Sequence, residues 1–138
     1  HGDTAEDGKL AFHGDTVEPG KLVFHNGVTD AEYAALLDDR AVLATLSLDE
    51  GYGLPIAEAL AFGVPAVVND LEIFHEVAGA GALYVPARDA EAFAEAVRSL
   101  DDRETRRRVI EAGRAHAAGY SWERTAAKLL DSVHSLAR

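Results

Sequence analysis

The chain of 138 residues contains no cysteine, which excludes a disulfide framework and a cysteine-ligated zinc site. It has no apolar run approaching about 20 residues and no charged-then-apolar start, so the sequence predicts neither a membrane span nor a signal peptide. Positive charge is scarce: the net charge is -11, which argues against nucleic acid or an anionic membrane as a partner. We therefore expect a single soluble domain with an ordinary core, for which a cytoplasmic location fits.

Residues 50–58 are the most informative segment of the chain. A glycine-rich turn is followed by Pro55 and then by an Ala/Leu-rich run that ends at Phe62. This order predicts a loop that enters a helix at its first turn. The free N–H groups at the start of such a helix favour an anion, for example a phosphate.

Two carboxylates, Glu50 and Glu58, frame this turn. A carboxylate repels phosphate but accepts hydrogen bonds from sugar hydroxyls. The combination of phosphate-binding amides and two hydroxyl acceptors indicates a pocket for a nucleotide-sugar. The local pattern is equally compatible with a simple strand-to-helix connection in which Glu58 is a solvated helix residue.

Short β-branched runs alternate with helical patterns along the chain. Strands are predicted at residues 21–25, 41–46, 64–69 and 83–85. Helices are predicted from the capping box at Thr29 to about Asp39, over residues 55–62, 72–78, 89–100 and 103–118, and from Ser121 to the C-terminus. Strands covered by helices on both faces imply an α/β, Rossmann-like fold with a largely parallel sheet. Ligands bind such sheets at the carboxyl ends of the strands, which is where residues 47–53 fall.

Residues 47–58 resemble the donor-binding motif of retaining glycosyltransferases with the two-domain GT-B architecture, in the group 1 family that includes sucrose and mannosyl transferases. Similar residues continue through 58–68 and recur at 76–79 and 120–124, so the resemblance extends from about residue 23 to about residue 130. It implies the donor-binding C-terminal domain of such an enzyme, with a partial GT-B fold.

The resemblance also implies roles for individual residues. Glu50 is implied to be catalytic, because it would hold a hydroxyl of the transferred sugar, and Glu58 would bind the ribose hydroxyls. The residues between them would complete the donor site, with backbone amides facing the phosphates: Gly51, Tyr52, Gly53, Leu54 and Pro55. Such enzymes are expected to retain anomeric configuration and to need no metal or other cofactor, the nucleotide-diphosphate sugar being the donor substrate.

The first 24 residues contain two copies of a 12-residue unit, in which nine of the twelve paired positions are identical. Each unit holds one predicted strand and a polar turn. We therefore predict two regions: residues 1–24, the duplicated units, and residues 25–138, the nucleotide-sugar-binding domain. The extra strand, which carries Leu10 and Phe12, is predicted to pair with a second chain and form a homodimer.

Relative to the family pattern, the first βα half of this domain and the N-terminal acceptor domain are missing. We interpret the chain as a truncated or rearranged transferase with little activity of its own. Two alternatives stay open: a non-catalytic nucleotide-sugar-binding module, and a structural fragment that dimerises through the duplicated strands. Trp122 is interpreted as a packing anchor of the last helix, and the arginines within residues 103–108 as a solvated face.

Overall fold

Three short parallel strands form the sheet, in a computed structural model that describes residues 25–38 and 40–136. The strands β1 (Leu43–Thr45), β2 (Ala66–Asn69) and β3 (Ala82–Val85) lie in the order β1-β2-β3, each parallel to its neighbour. The helices are α1 (Asp30–Leu36), α2 (Leu54–Phe62), α3 (Glu72–Ala78), α4 (Ala90–Ser99), α5 (Arg103–Ala117) and α6 (Trp122–Leu136), with a 3-10 helix at Gly79–Gly81. The predicted α/β, Rossmann-like fold is confirmed.

The chain divides into two compact units, residues 1–36 and 37–138. Within the first unit, the predicted capping box is confirmed. The carboxylate of Glu32 accepts from the Thr29 backbone N–H at 2.8 Å, and the Glu32 N–H donates to the Thr29 hydroxyl at 3.3 Å. The hydrogen bond from the Thr29 backbone lowers the pKa of Glu32. Helix α1 ends at Leu36. The predicted strands of the duplicated units lie outside the described residues, except for His25, which is not in a strand.

The core of the second unit is built on the two faces of β2, whose four residues are all buried. Successive side chains of a strand point to opposite faces. Accordingly, Ala66 and Val68 pack with one cluster, and Val67 packs with the other. The larger cluster unites β2 and β3 with α2 and α3, through Ile56, Leu60, Phe74, Val77, Ala78 and Ala82. The smaller one joins Val85, Leu100 and Val109 on the opposite face.

Two glycines permit a close approach between elements of this unit. Gly81, at the end of the 3-10 helix, lies against Gly113 in the middle of α5. A Cβ atom on Gly81 would lie 2.3 Å from the Cα of Gly113, and a Cβ atom on Gly113 would lie 2.7 Å from the Cδ2 atom of Leu60. Only glycine at both positions allows α5 to lie this close to the chain that leads into β3.

The predicted helix caps of the second unit are also confirmed. The Asp89 side chain accepts from the Ala92 N–H at 2.9 Å at the start of α4. The Ser121 hydroxyl accepts from the Arg124 N–H at 3.2 Å at the start of α6. None of the helices within residues 25–38 and 40–136 is both long enough and apolar enough to cross a bilayer.

The interpretation of Trp122 is wrong, and that of the arginine run is wrong for one of its four arginines, the other three being exposed. Trp122 is 87% exposed and does not anchor α6. The neighbouring Tyr120, which precedes α6, instead bonds the chain at the end of α3 through its hydroxyl. Arg106 is not on a fully solvated face, since it is half-buried and its guanidinium donates to the Ala41 carbonyl at 2.8 Å.

Candidate functional site

Asn69, the last residue of β2, holds together the loops that follow all three strands. Its amide nitrogen donates to the Ser47 carbonyl at 2.9 Å, and its amide oxygen accepts from the N–H groups of Asp70 and Ala87, both at 2.9 Å. The residue is 7% exposed. The loop after β1 is thereby attached to the ends of the other two strands. Sequence reasoning missed this residue; its only signal is a polar side chain at the end of a buried apolar run.

Replacing Asn69 with alanine is expected to lower the free energy of unfolding by about 2 kcal/mol, because a part-buried carbonyl and two N–H groups lose their partner. Asn69→Asp keeps the acceptor oxygen but loses the donor to Ser47, so it separates the β1 contact from the others. Urea unfolding measures the change. The exposed Asn26→Ala variant is the matched control. Equal stability of the two alanine variants would contradict the role given to Asn69.

The loop after β1 delivers the chain into α2 through Gly53. This glycine is the N-cap residue of α2 and has φ 87°, in the left-handed region that other residues adopt at a cost. A Cβ atom there would also lie 3.2 Å from the ring of Phe74. Glu50 and Tyr52 are exposed on the loop, and the Gly51 N–H donates to the Glu50 carboxylate at 3.1 Å.

The start of α2 leaves backbone donors available. The Gly53 carbonyl accepts from Ile56 and Ala57, no side chain caps the helix, and Pro55 has no N–H. Within residues 25–38 and 40–136, the N–H groups of Gly53 and Leu54 have no hydrogen-bond partner. Together with the helix dipole, they give the loop a partial positive charge that attracts an anion.

Glu58 lies in the second turn of α2 and is exposed. Among the described residues its carboxylate has no hydrogen-bond or ion-pair partner, so it is available to a ligand. The structure thus brings the predicted residues Gly53, Leu54 and Pro55 together at the helix start. It places Glu50 before them and Glu58 after them. The chemical roles of these residues stay predictions. In the same described part, no three His, Asp or Glu residues are grouped so as to hold a metal ion.

A groove of about 490 Å³ adjoins the start of α2. It is mostly apolar, and the residues that line it are Tyr52, Leu54, Ala57, Tyr120, Ser121, Trp122 and Thr125. No local sequence pattern indicates this groove, because it unites segments about 70 residues apart.

Tyr120 fixes the wall of the groove to the end of α3. Its hydroxyl lies 3.0 Å from the Glu76 carbonyl oxygen, and His116 donates through Nε2 to the same oxygen at 2.8 Å. Burial raises the pKa of Tyr120, with smaller contributions from Tyr52 and Glu76. The segment between α5 and α6 is therefore attached to α3 by side chains that cover its last carbonyl groups.

Asp70, His75 and Tyr84 form a polar cluster beyond the end of β2. The Nε2 atom of His75 lies 2.6 Å from the Asp70 carboxylate, and its ring stacks on Tyr84 with centroids 3.8 Å apart. The Tyr84 hydroxyl donates to the Gly79 carbonyl at 2.6 Å. Burial, and then the Asp70 charge, raise the pKa of Tyr84 to about 12.

This pKa predicts a loss of stability at high pH. Because the pKa of Tyr84 in the folded chain lies above the ordinary tyrosine pKa of about 10, its contribution to stability is fully present below about pH 10 and is lost as the pH rises toward about 12. Urea unfolding of the wild type and of Tyr84→Phe between pH 8 and pH 12 checks this. The difference between their free energies of unfolding at each pH isolates the contribution of Tyr84. Parallel pH profiles would contradict the prediction.

A model of the family Glycosyl transferases group 1 matches residues 16–116. The MMP alpha-(1->4)-mannosyltransferase of Mycolicibacterium hassiacum is 37% identical over 108 residues, which are 75% of this chain and 26% of that protein. The D-inositol 3-phosphate glycosyltransferase of Corynebacterium urealyticum is 33% identical over 108 residues, 76% of this chain and 26% of that protein. Sucrose-phosphate synthase from Thermosynechococcus elongatus has a similar fold, with a TM-score of 0.59 and 28% identity over 69% of this chain and 25% of its own.

The chain spans only 16% to 30% of the length of such curated relatives. The family match nevertheless covers most residues of this chain, including all three strands of the sheet, the loop after β1 and α2. The chain therefore belongs to the group 1 glycosyltransferases, and its second unit has the Rossmann-like fold of a GT-B enzyme.

Proposed function

We propose that this chain is the donor-binding part of a glycosyltransferase that transfers a sugar from a nucleotide-sugar to an acceptor with retention of configuration. The observation that carries the proposal is the uncapped start of α2, which follows a loop at the carboxyl edge of the sheet. Phosphates bind at such helix starts, and the edge is where α/β sheets bind their ligands. Residues 25–138 form the donor domain in this proposal, and residues 1–24 are duplicated units.

The proposed roles follow from position along the loop and helix. The N–H groups of Gly53 and Leu54 meet phosphate oxygens and stabilise the negative charge that develops on the leaving diphosphate. Glu58 accepts hydrogen bonds from the ribose hydroxyls, and Glu50 accepts from a hydroxyl of the transferred sugar. Gly51, Tyr52 and Pro55 shape the turn between them.

Isothermal calorimetry with UDP, GDP and their sugars tests the donor site in the chain as it exists. We expect Glu58→Ala to weaken nucleotide binding about tenfold, because two ribose hydroxyls lose a charged acceptor. Glu95→Ala, which removes an exposed carboxylate from α4, is the matched control. Wild-type affinity in the Glu58 variant would refute the assignment.

A non-catalytic nucleotide-sugar-binding module is the second candidate. The composition favours it, since Asp and Glu outnumber Lys and Arg by 24 to 13 and the only lysines are at positions 9, 21 and 128. An assay of donor hydrolysis separates the two candidates, because a pure binding module leaves the donor intact. An acceptor-binding domain as partner, a cytoplasmic location and a homodimer through the N-terminal strands are further parts of the proposal.

A further inference from the structure

Asn26 and Asn69 carry the only side-chain amides of the chain, because it contains no glutamine. Asparagine is among the residues that are chemically labile when proteins are heated. Its amide carbon is open to attack by the backbone nitrogen of the next residue, which closes a five-membered ring. The two asparagines have opposite surroundings in the structure, and this difference separates their chemistry.

Asn26 lies in the loop that precedes the capping box of α1, outside any helix or strand. Both Asn26 and Gly27, the residue that follows it, are exposed. Among residues 25–38 and 40–136, none bonds the Asn26 amide and none accepts from the Gly27 N–H. Nothing that the structure describes therefore keeps the amide carbon and the next nitrogen from approaching each other.

Gly27 leaves its own backbone nitrogen accessible. It has no side chain to shield that nitrogen, and its φ of 67° lies in the left-handed region that other residues adopt at a cost. Apart from its chain neighbours, even the position that a Cβ atom would occupy has no described atom within 4 Å. Water and hydroxide can therefore reach the N–H group.

Asn69 is held in the opposite way. It is 7% exposed, and its amide donates to the Ser47 carbonyl and accepts from the N–H groups of Asp70 and Ala87. The Asp70 nitrogen, which would have to attack the amide carbon, directs its N–H at the amide oxygen instead. Rotation of the side chain toward ring closure would break these hydrogen bonds, so the fold protects this amide.

We propose that Asn26 is a site of spontaneous deamidation, with the Gly27 backbone nitrogen as the nucleophile. The nitrogen loses its proton to hydroxide and bonds to the Cγ atom of Asn26. The bond from Cγ to Nδ2 breaks, and the leaving nitrogen takes up a proton from water and departs as ammonia. Water then opens the succinimide ring at one of its two carbonyl groups, so that position 26 becomes aspartate or isoaspartate. Water is the only co-reactant.

The modification changes both the charge and the backbone before α1. Each conversion adds one carboxylate, which is ionised at neutral pH, to a chain whose net charge is already -11. Isoaspartate also continues the backbone through its side chain, so the chain gains a methylene group shortly before Thr29. The path into the capping box formed by Thr29 and Glu32 is therefore altered.

Peptide mapping by mass spectrometry, together with an ammonia assay, tests the site in the chain as it exists, incubated between pH 7 and pH 9. We expect one equivalent of ammonia per chain, with the change at position 26. The rate should rise about tenfold for each unit of pH, because the N–H proton must be removed first. Asn69 should keep its amide in the same samples. Loss of both amides at equal rates, or a rate independent of pH, would overturn the proposal.

Two variants and an unfolded reference separate this loop from general ageing of the chain. Asn26→Gln should release no ammonia over the same time, because its longer side chain would have to close a six-membered ring. Gly27→Ala should react about tenfold more slowly, since a Cβ atom shields the nitrogen and restricts φ. In urea, Asn26 should react about as fast as in the folded chain, whereas Asn69 should react faster. An Asn26 rate that rises more than about tenfold on unfolding would show that the folded loop protects it, and would refute the site.

Discussion

Replacing Gly81 with alanine is expected to destabilise the second unit by more than about 3 kcal/mol, a shift of about 2 M in the midpoint of urea unfolding. The new Cβ atom would lie 2.3 Å from the Cα atom and 2.9 Å from the amide nitrogen of Gly113. Both are backbone atoms of α5, so no side-chain rotation relieves the overlap. The helix must move away from the chain that leads into β3.

Gly51→Ala is the matched control for this variant. A Cβ atom at Gly51 would meet nothing within 4 Å, and its φ is not in the left-handed region. We expect its stability to stay within about 0.5 kcal/mol of the wild type. Similar unfolding midpoints for the two alanine variants would show that α5 can shift away from Gly81 at little cost.

The isolated chain is expected to transfer sugar at least about a hundredfold more slowly than a full-length transferase, even with donor bound. Holding donor and acceptor in a reactive geometry supplies several kcal/mol of barrier lowering, and a chain that spans a quarter of its relatives' length has little surface with which to hold the acceptor. The net charge of -11 also limits charge stabilisation of the leaving diphosphate.

Transfer from labelled GDP- and UDP-sugars to sugar and polyol acceptors measures this rate. The Glu50→Ala variant measures any sugar transfer that does not depend on the proposed donor site. Turnover of about 1 s⁻¹ or faster by the wild-type chain would contradict the prediction, since that is the ordinary range of enzymes. Calorimetry with the donor distinguishes slow transfer by a chain that has bound its donor from a failure to bind the donor.

The sequence predicted most of what depends on neighbouring residues. The capping box at Thr29, the caps at Asp89 and Ser121, and the entry into α2 through Gly53 and Pro55 are local signals, and the structure confirms them. The motif also identified the edge of the sheet that carries the loop.

What the sequence missed depends on distant pairs. The Asn69 side chain bonds Ser47 and Ala87, which are 22 and 18 residues away, and no local pattern indicates such partners. The contact of Gly81 with Gly113 requires the path of α5 across the 3-10 helix. The interpretation of Trp122 as a packing anchor of the last helix rests on its chemistry alone, whereas its position on α6 leaves it exposed.

The hydrogen bonds of Asn69 also have a consequence for the kinetics of ligand binding. A free loop loses conformational entropy when a ligand orders it, and this loss weakens binding and slows association. Here the Ser47 end of the loop is already held by β2 before any ligand arrives. If the proposed function holds, a nucleotide would meet a loop that is already anchored at this end, so its association rate should depend on diffusion and on the charge of the surface. In an Asn69→Ala chain the ligand would have to order the loop itself, and association would become slower while the chemistry of the binding groups stayed the same.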